Sequence, residues 1–405
     1  MFRFIFIFLT SAALAQAGGV ALTIDATADY ALKHNPTLAA ARLRIDEARG
    51  RLQQSGRLSN PELEVEFTRM TRGPEGGLGV SLMQRFPLTA RLRHERAVSQ
   101  AELAAAEAEI RNGERKLAAE ARALAVKIVA SRGQRELRAR QQENSRDLSG
   151  FLLKRVATGE ASGVDASQVE LETQQLELEA LQLTATEVSL AGELRALLGV
   201  AGDVSITGNL PAPTSARGSA EIAERPDVQA AEHRVAAAQA AAQQQRASRW
   251  EDVGVGAIYG AERTLDLPEP VETQHLFGVK LSIPLPLWNN NAGRIREAEA
   301  AAARAAQEVA AVRFTARTEV SAARGEMTAL AKLVTALDTQ LLPKAAQIEE
   351  QIRQQYSTGQ SPLTDVLRAR SRRLDLQRQR LDALRDYHLA RVRYEAGASV
   401  KGDAR

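Results

Sequence analysis

The sequence predicts a mainly α-helical protein with a transmembrane β-barrel part, organised as two tandem copies of one helix–strand–strand–helix–helix unit. Three observations lead to this fold class. The 405-residue chain is only 4% aromatic and is rich in alanine, leucine, glutamate, glutamine and arginine, a composition that favours long helices. The same landmarks occur twice, in the same order, about 200 residues apart. In addition, short segments with alternating apolar and polar residues occur in pairs, as expected for strands.

The first residues have the pattern of a secretory signal peptide. Arg3 precedes the apolar run Phe4–Leu9, and small residues at Ala15 and Ala17 stand before Gly18. Signal peptidase requires small residues at such positions, so residues 1–17 are predicted to be removed. The apolar run is too short to span a bilayer, which takes about 20 residues. No later run is comparable, so no transmembrane helix is expected in the mature chain.

Composition argues against several kinds of function. Lysine and arginine total 53 against 50 acidic residues, and the charges are interspersed, which indicates solvated helix faces and no nucleic-acid partner. The absence of cysteine excludes disulfides, thiolate metal sites and an acylated N-terminal cysteine, so the protein is not expected to be a lipoprotein. No nucleophile or acid–base pair stands out, so we expect neither an enzyme nor a cofactor or metal site. The histidines are scattered: His34, His94, His233, His275 and His388.

Three landmarks define the repeat. Asn35–Ala41 corresponds to Arg225–Ala231, Gly79–Leu82 with Phe86–Leu88 corresponds to Gly278–Leu281 with Leu285–Leu287, and Thr158-Gly159 with Asp165 corresponds to Thr358-Gly359 with Asp365. A stretch rich in proline, glycine and serine separates the copies. We therefore predict repeats at 18–200 and 219–397, a linker at 201–218 and a tail at 398–405.

Each copy is expected to contain the same series of elements. An alanine-rich helix (25–57 and 219–248) leads into a hairpin (61–88 and 251–287), a very long helix (89–155 and 288–356) and a shorter return helix (163–198 and 362–396). At 1.5 Å per residue each long helix would extend about 100 Å, far beyond a globular helix. Apolar residues recur at three- and four-residue steps, which is typical of coiled coils. On the first return helix, Leu171, Leu178, Leu181 and Leu190 mark the apolar face.

The strand segments alternate as lipid-exposed strands do. Within 62–67 and 277–285 one face is apolar and the other polar. The predicted lipid-facing residues are Leu63, Val65, Phe67, Val279, Leu281 and Ile283. Glu62, Glu64 and Glu66 fall on the opposite face and are candidate lumen residues, although a solvated position near a loop would also fit them. Because four strands are too few to close a conducting barrel, several chains must share one.

The whole mature chain resembles the TolC family of outer-membrane factors. The local signatures are Tyr356-x-x-Gly359 with Thr364–Leu367, and a degenerate first copy at Gly159 with Val164-Asp165. This resemblance implies a TolC-like fold: a homotrimer whose shared 12-stranded barrel, four strands per subunit, continues as an α-helical coiled-coil tunnel. It also implies the outer membrane of a Gram-negative bacterium, with outer-membrane lipid around the barrel and the tunnel extending into the periplasm. Family members are exit ducts of tripartite pumps, joined by a periplasmic adaptor (membrane fusion protein) to an inner-membrane transporter.

Within the family, the run Leu285–Ile295 resembles the heavy-metal branch, where a Pro-Leu-aromatic-Asn sequence precedes Gly-x-Ile. This branch serves resistance-nodulation-division transporters that export ions such as cobalt, zinc, cadmium or copper. Drug and solvent ducts share the surrounding pattern, and a type I secretion duct also stays open. The same run fits a tight strand-to-helix joint. Outside the family, a periplasmic adaptor would show one helical hairpin with a lipoyl-like flank, and a structural coiled coil would lack the strand pairs.

The resemblance also assigns roles to residues at two helix–helix turns. Gly159 and Gly359 match the turns at the periplasmic tips, where adaptors dock and where the tube closes, and Asp165, Tyr356 and Asp365 match the tip pattern. Two positions depart from it: Ser361 replaces a basic residue of some members, and Arg368 replaces a second acidic one. We therefore expect an altered gate at Asp165, Tyr356, Asp365 and Arg368. The two aspartates would also be favourable as N-terminal helix residues, since the helix dipole attracts negative charge there.

Overall fold

The computed structural model describes residues 19–71, 75–159, 162–214, 225–264 and 271–398. The predicted signal peptide and its cleavage point lie outside the described residues, as do the end of the predicted linker, the tail beyond 398 and the middle of both hairpin turns. The described chain forms two compact units. One consists of Met1–Ala40, Asn112–Arg225 and Thr315–Arg405, and the other of Ala41–Arg111 and Pro226–Phe314. We call them the helical unit and the strand unit.

The helical unit is built mainly from the long helices and the return helices. Its elements, some of which extend beyond it, are β1 (Val20–Thr23), α1 (Ile24–His34), α3 (Arg91–Ala157), α4 (Gly163–Leu198), β4 (Val204–Thr207), α6 (Ala292–Ala336), a π-helical turn (Leu337–Leu341), α7 (Leu342–Ser357) and α8 (Leu363–Gly397). The largest core cluster joins α1, α3, α4 and β4, with Leu124, Leu194, Leu198 and Ile206 buried. A second cluster joins α6 and α8 around Tyr387. Burial of these apolar faces stabilises helices that would be marginal alone.

The strand unit contains one antiparallel sheet with its supporting helices. The helices are most of α2 (Pro36–Gln54), α5 (Pro226–Ala247) and the first parts of α3 and α6, and the strands are β2 (Glu62–Arg69), β3 (Gly76–Phe86), β5 (Val253–Thr264) and β6 (Glu272–Ser282). The strand order is β2-β3-β5-β6. The two predicted hairpins therefore join through β3 and β5 into a single four-stranded sheet, and β2 and β6 form its edges.

The first predicted helix, 25–57, is wrong as one element, because the chain breaks at Asn35. Asn35 has an extended backbone (φ −65°, ψ 119°) between α1 and α2. Its Oδ1 accepts a hydrogen bond from the Leu38 amide at 2.7 Å, and its Nδ2 donates to the Leu197 carbonyl at 2.7 Å. Pro36 follows and has no amide hydrogen to continue a helix, although it fits a first turn. Asn35 thus starts α2 and ties it to the end of α4.

A parallel strand pair was not predicted. β1 pairs with β4 in register, from Val20 with Val204 to Thr23 with Thr207. β4 lies in what the sequence suggested was a plain linker, and β1 precedes the predicted start of the first helix. Ile206 of β4 is buried in the main core cluster. The beginning of the linker is thus an integral part of the helical unit.

The other boundaries differ from prediction in smaller ways. The predicted uninterrupted helix 288–356 begins only at Ala292 and contains the π turn, where the amide of Leu342 donates to the Leu337 carbonyl. The last strand was expected to reach 285 but ends at Ser282, two residues before Pro284, which has no amide hydrogen for a ladder. α4 has the predicted bounds, and α8 is shifted by one residue. Among the described residues, no helix has the length and apolar character needed to cross a membrane.

Candidate functional site: the sheet and the helix tips

One face of the sheet is apolar across all four strands. The register pairs Leu63 with Leu82, Leu82 with Ala257, and Ala257 with Val279. Directly paired residues share a face, so the apolar positions of both hairpins lie on the same side of the sheet. This face contains Leu63, Val65, Phe67, Leu78, Val80, Leu82, Val255, Ala257, Tyr259, Phe277, Val279 and Leu281.

Five of the six predicted lipid-facing residues lie on this face, and all six are exposed in the single chain. The exposed fraction is 75% for Phe67 and 82% for Val279. Ile283 is also exposed, but it follows the end of β6 and is not part of the sheet. A soluble sheet would normally bury such a face against a second layer. Here the face has the composition that a lipid environment requires.

The opposite face consists mainly of polar residues and glycine, with Met83, Ile258 and Leu276 as apolar members. Glu62, Glu64 and Glu66 of β2 lie on it with Ser81 and Arg85 of β3, Gly254, Gly256 and Gly260 of β5, and Gly278 and Lys280 of β6. Arg85 approaches Glu62 at 3.4 Å between Nη2 and Oε2. The Ser81 hydroxyl donates to Glu64 at 3.4 Å. A face of this kind is compatible with water, whereas the opposite, apolar face is compatible with lipid.

Tyr259 and His275 form a pair that sequence reasoning missed. The Tyr259 hydroxyl lies 2.9 Å from His275 Nδ1, on neighbouring strands of the apolar face and toward the β5–β6 turn. The ring of Phe277 lies 5.1 Å from that of Tyr259. Aromatic rings with a polar tip are favoured at membrane–water boundaries. The available signal was the alternation along β6, whose predicted strand began only at Phe277 although β6 begins at Glu272.

The joint between β6 and α6 anchors the end of α5. Asn291 has a left-handed backbone (φ 61°), and its Nδ2 donates to the Gln245 carbonyl at 2.8 Å. At the other joint, the Thr89 hydroxyl donates to the Ala247 carbonyl at 2.9 Å. Each joint thus satisfies a carbonyl that has no partner in the last turn of α5. The tight joint expected for the Pro-Leu-Trp-Asn run is present, and Trp288 itself is 94% exposed.

The two helix–helix turns at Gly159 and Gly359 lie against each other. Leu152, Val169, Leu363 and Val366 are buried in one cluster, with Tyr356 packed at its margin. This cluster joins the end of α3, the start of α4, the end of α7 and the start of α8. The predicted tip residues of both repeats are therefore brought together by an apolar core.

The backbone of the two turns is nearly the same. Gly159 and Gly359 have positive φ (77° and 75°), a left-handed backbone that glycine adopts without strain. The amide of Asp165 donates to the Ser162 carbonyl and that of Asp365 to the Pro362 carbonyl, both at 3.1 Å. Both aspartates lie in the first turn of their helices, where the helix dipole favours a carboxylate.

The charges at the turns differ between the repeats. Arg368 Nη1 lies 3.5 Å from Asp365 Oδ1, and the Ser361 hydroxyl donates to Asp365 Oδ2 at 3.4 Å. The arginine side chain is 82% exposed, so the pair is weak in water. The described residues include no cation within ion-pair distance of Asp165. Tyr356 contributes its ring to the apolar cluster, with no hydrogen bond from its hydroxyl among the described contacts.

His34 and His388 make packing and hydrogen-bond contacts within the helical unit. His34 stacks on Tyr30 with ring centroids 4.1 Å apart. His388 is buried, and its Nε2 donates to the Pro211 carbonyl at 2.9 Å. Burial lowers the pKa of His388, and the nearby Arg391 lowers it further, against the hydrogen bond to Pro211 and the charge of Glu395. Within the described ranges, no three histidine or carboxylate side chains are grouped as a metal site would require.

Comparisons with known proteins agree with this architecture. Residues 218–399 match the family model "Outer membrane efflux protein". The cobalt-zinc-cadmium resistance protein CzcC of Cupriavidus metallidurans is 26% identical over 387 residues, which cover 92% of this chain and 85% of that protein. A crystal structure of CusC superposes with a TM-score of 0.80 at 18% identity over 95% of both chains.

The outer membrane protein VceC of Vibrio cholerae superposes with a TM-score of 0.77 at 20% identity, over 93% of this chain and 95% of that one. At such identities the superpositions show the fold, and the match to the family model extends over the whole second repeat. The second repeat matches the model of outer membrane efflux proteins, and the chain is an efflux channel of the outer membrane with a TolC-like fold.

Proposed function

We propose that the protein is the exit duct of a tripartite pump and works as a homotrimer in the outer membrane of a Gram-negative bacterium. The observation that carries this proposal is the four-stranded sheet with an apolar face, a polar face and two free edges. In lipid an open edge leaves amide and carbonyl groups without partners, so such a sheet must close. Three chains contribute 12 strands, enough for a ring with a wet lumen.

In this proposal the helical unit belongs to the periplasmic part of the duct. Signal peptide cleavage after residue 17 delivers the chain, and the repeats 18–200 and 219–397 supply equivalent parts of the wall. The turns at Gly159 and Gly359 receive the periplasmic adaptor, which links the duct to an inner-membrane resistance-nodulation-division transporter. Asp165, Tyr356, Asp365 and Arg368 surround the narrow end. In this role the duct conducts passively and carries out no catalytic step.

We propose heavy-metal cations as the exported substrate. Two observations support this class: the relative CzcC is a cobalt-zinc-cadmium resistance protein, and Leu285–Ile295 has the Pro-Leu-aromatic-Asn run of that branch. A duct conducts without holding its substrate, so it needs a wide polar lumen and no binding cluster. The carboxylates on the polar face of β2 would favour cations over anions near the wall.

Complementation separates the substrate classes. The gene is deleted in its host and restored on a plasmid, and growth is measured in cobalt, zinc and cadmium and, in parallel, in drugs and solvents. We expect the deletion to lower metal tolerance and the plasmid to restore it. Loss of drug or solvent tolerance alone would replace the metal assignment by the other branch of the family.

Purification tests the assembly. The membrane-extracted protein should migrate as a trimer on unheated gels and as a monomer after heating, and its intact mass should correspond to a chain that begins at or near Gly18. A monodisperse monomer in mild detergent, or recovery in the soluble periplasm, would contradict the duct. A mass that retains Met1 would contradict cleavage but not the duct.

A further inference from the structure

The two free edges of the sheet carry opposite, unpaired charges on the same face. On β2, Glu64 has only a serine hydroxyl within hydrogen-bond distance, and Glu66 lies opposite Gly79. On β6, Lys280 lies opposite Gly256 and has no described partner. No cation pairs with Glu64 or Glu66, and no carboxylate with Lys280, in the part of the chain that the structure describes. All three side chains are exposed and lie on the polar face.

These charges cannot meet within one chain. Glu62, Met83, Gly256 and Lys280 form one row across the sheet, with two strands between the glutamate and the lysine. The row continues only if the β6 edge of one copy meets the β2 edge of a second. Such a head-to-tail contact uses two different surfaces and closes into a ring when the rotation fits. Neighbouring strands then run antiparallel, as in the rest of the sheet.

Closure of a ring also requires a stagger between copies, because the strands of a barrel tilt. The stagger must be an even number of residues, since an odd number would place apolar side chains on the polar face. From the row that ends at Glu62, an even displacement toward the end of β2 brings Lys280 beside Glu64 or Glu66. A lysine also reaches its diagonal neighbour across a strand pair.

We propose that Lys280 of one copy lies against Glu64 and Glu66 of the next copy and that this contact sets the register of the seam. The inference rests on the proposed trimer and adds to it the residues that select one strand register. The apolar face of both edges is uniform, so it distinguishes poorly between registers two residues apart. The charges supply that distinction, because a wrong register leaves the glutamates without a cation.

A charge swap tests the contact. Lys280→Glu should give a several-fold loss of heat-modifiable trimer in extracted membranes, because like charges then meet at each seam. Combination with Glu64→Lys and Glu66→Lys should recover most of the trimer, and Lys280→Arg should leave it unchanged. Leu276→Glu is the control: it adds a negative charge to the same strand and face, opposite Gly260, and should have little effect.

Cysteine pairs measure the register directly, because the natural chain has no cysteine. Lys280→Cys is combined with a cysteine at Asn60, Glu64, Glu66 or Thr68, and disulfide-linked oligomers are counted after mild oxidation. We expect the maximum at 64, 66 or 68, positions that keep Lys280 within reach of an unpaired glutamate. Val65→Cys projects from the opposite face and should not cross-link.

The outcomes separate this proposal from the trimer itself. If the unmodified chain forms no oligomer, the proposed assembly fails and the seam with it. If the trimer forms but Lys280→Glu has no effect and cross-links peak at Asn60 or at none of these positions, the seam contact alone is wrong.

Discussion

The two return helices have the same place in their repeats but present different surfaces. α4 is rich in glutamate and leaves Val164, Leu171, Leu178, Leu181 and Val188 exposed. α8 is rich in arginine, and none of its large apolar side chains is among the exposed ones. The lesson is that repetition preserved the backbone path while the surfaces diverged. A ring of three copies would therefore present two kinds of helix and two kinds of tip.

The ends of the repeats differ in the same way. In the first repeat the neutral Asn35 joins α2 to α4 by two hydrogen bonds. In the second repeat the corresponding residue is Arg225, which is buried and forms an ion pair with Glu319 at 3.1 Å. Removal of the partner of a buried charge leaves that charge uncompensated. It therefore lowers stability more than the loss of a neutral helix cap. The same position in the two repeats is therefore stabilised by neutral hydrogen bonds in one case and by a buried ion pair in the other.

The largest effect is expected where the repeats act alike, on the apolar face of the sheet. Val65→Arg in the first repeat and Val279→Arg in the second should each impair the trimer, since a charge in the middle of a bilayer costs about 2–4 kcal/mol. Trimer yield on unheated gels measures the loss. Gly278→Arg is the control, because a side chain there meets open space on the polar face. Equal yields for Val279→Arg and Gly278→Arg would show that the faces are wrongly assigned.

A smaller effect should distinguish the glycines that end α4 and α8. A Cβ at Gly199 would lie 2.6 Å from the His34 carbonyl oxygen, and the residue has φ 66°. Gly199→Ala should therefore lower the free energy of unfolding by more than the cost of a left-handed backbone, which is about 1–2 kcal/mol. At Gly397 the Cβ would meet a methyl group of Val320 at 2.8 Å in helical backbone, where alanine is otherwise favoured by about 1 kcal/mol.

The measurement is the temperature at which the trimer dissociates. We expect a decrease for both variants, larger for Gly199→Ala, because at Gly397 the helical backbone favours alanine and only the contact with Val320 opposes it. Equal decreases would mean that Val320 cannot shift aside and that the two helix ends are equally rigid.

The tip charges should produce a still smaller change, visible in conduction and not in stability. Asp365→Ala should lower cation selectivity, and Arg368→Ala should raise it, because the arginine partly neutralises the aspartate at 3.5 Å. Asp165→Ala removes a carboxylate without a described cation and should act at least as strongly as Asp365→Ala. Reversal potentials of single channels in a salt gradient provide the test. If none of the three variants shifts the reversal potential, these residues do not line the constriction.

The smallest effect concerns pH and is confined to the second repeat. Burial lowers the pKa of His388 in the folded chain, whereas the unfolded chain takes up a proton near the ordinary value of about 6.5. The contribution to stability is therefore complete above that pH and is lost as the pH falls toward the folded pKa. The dissociation temperature of the trimer should decrease below pH 6.5. His388→Gln retains a donor for Pro211 and should flatten this part of the profile; an unchanged slope would assign it to other groups.

Local patterns predicted the elements whose signals lie close together in sequence. The alternation in 62–67 predicted β2, and the repeated Thr-Gly and aspartate positions located both turns. The β1–β4 pair was missed because two four-residue strands, about 180 residues apart in sequence, carry too little alternation to suggest pairing. Leu171, Leu178, Leu181 and Leu190 were predicted to mark one apolar face of α4, but only Leu190 packs against the core, and the other three are exposed. The face that each helix buries depends on neighbours that the local sequence does not specify.

The π turn has a consequence for the spacing of the apolar stripe along α6 and α7. Buried positions follow steps of three, four or seven residues through Val320, Ala323, Met327, Val334 and Leu337. The next inward position is Leu342, five residues on, after which the ordinary steps resume. The wide turn thus accommodates one extra residue. Without it, the inward face of α7 would be rotated away from the helices that it packs against. A long helix with such a point can gain or lose a residue there and keep its register from end to end.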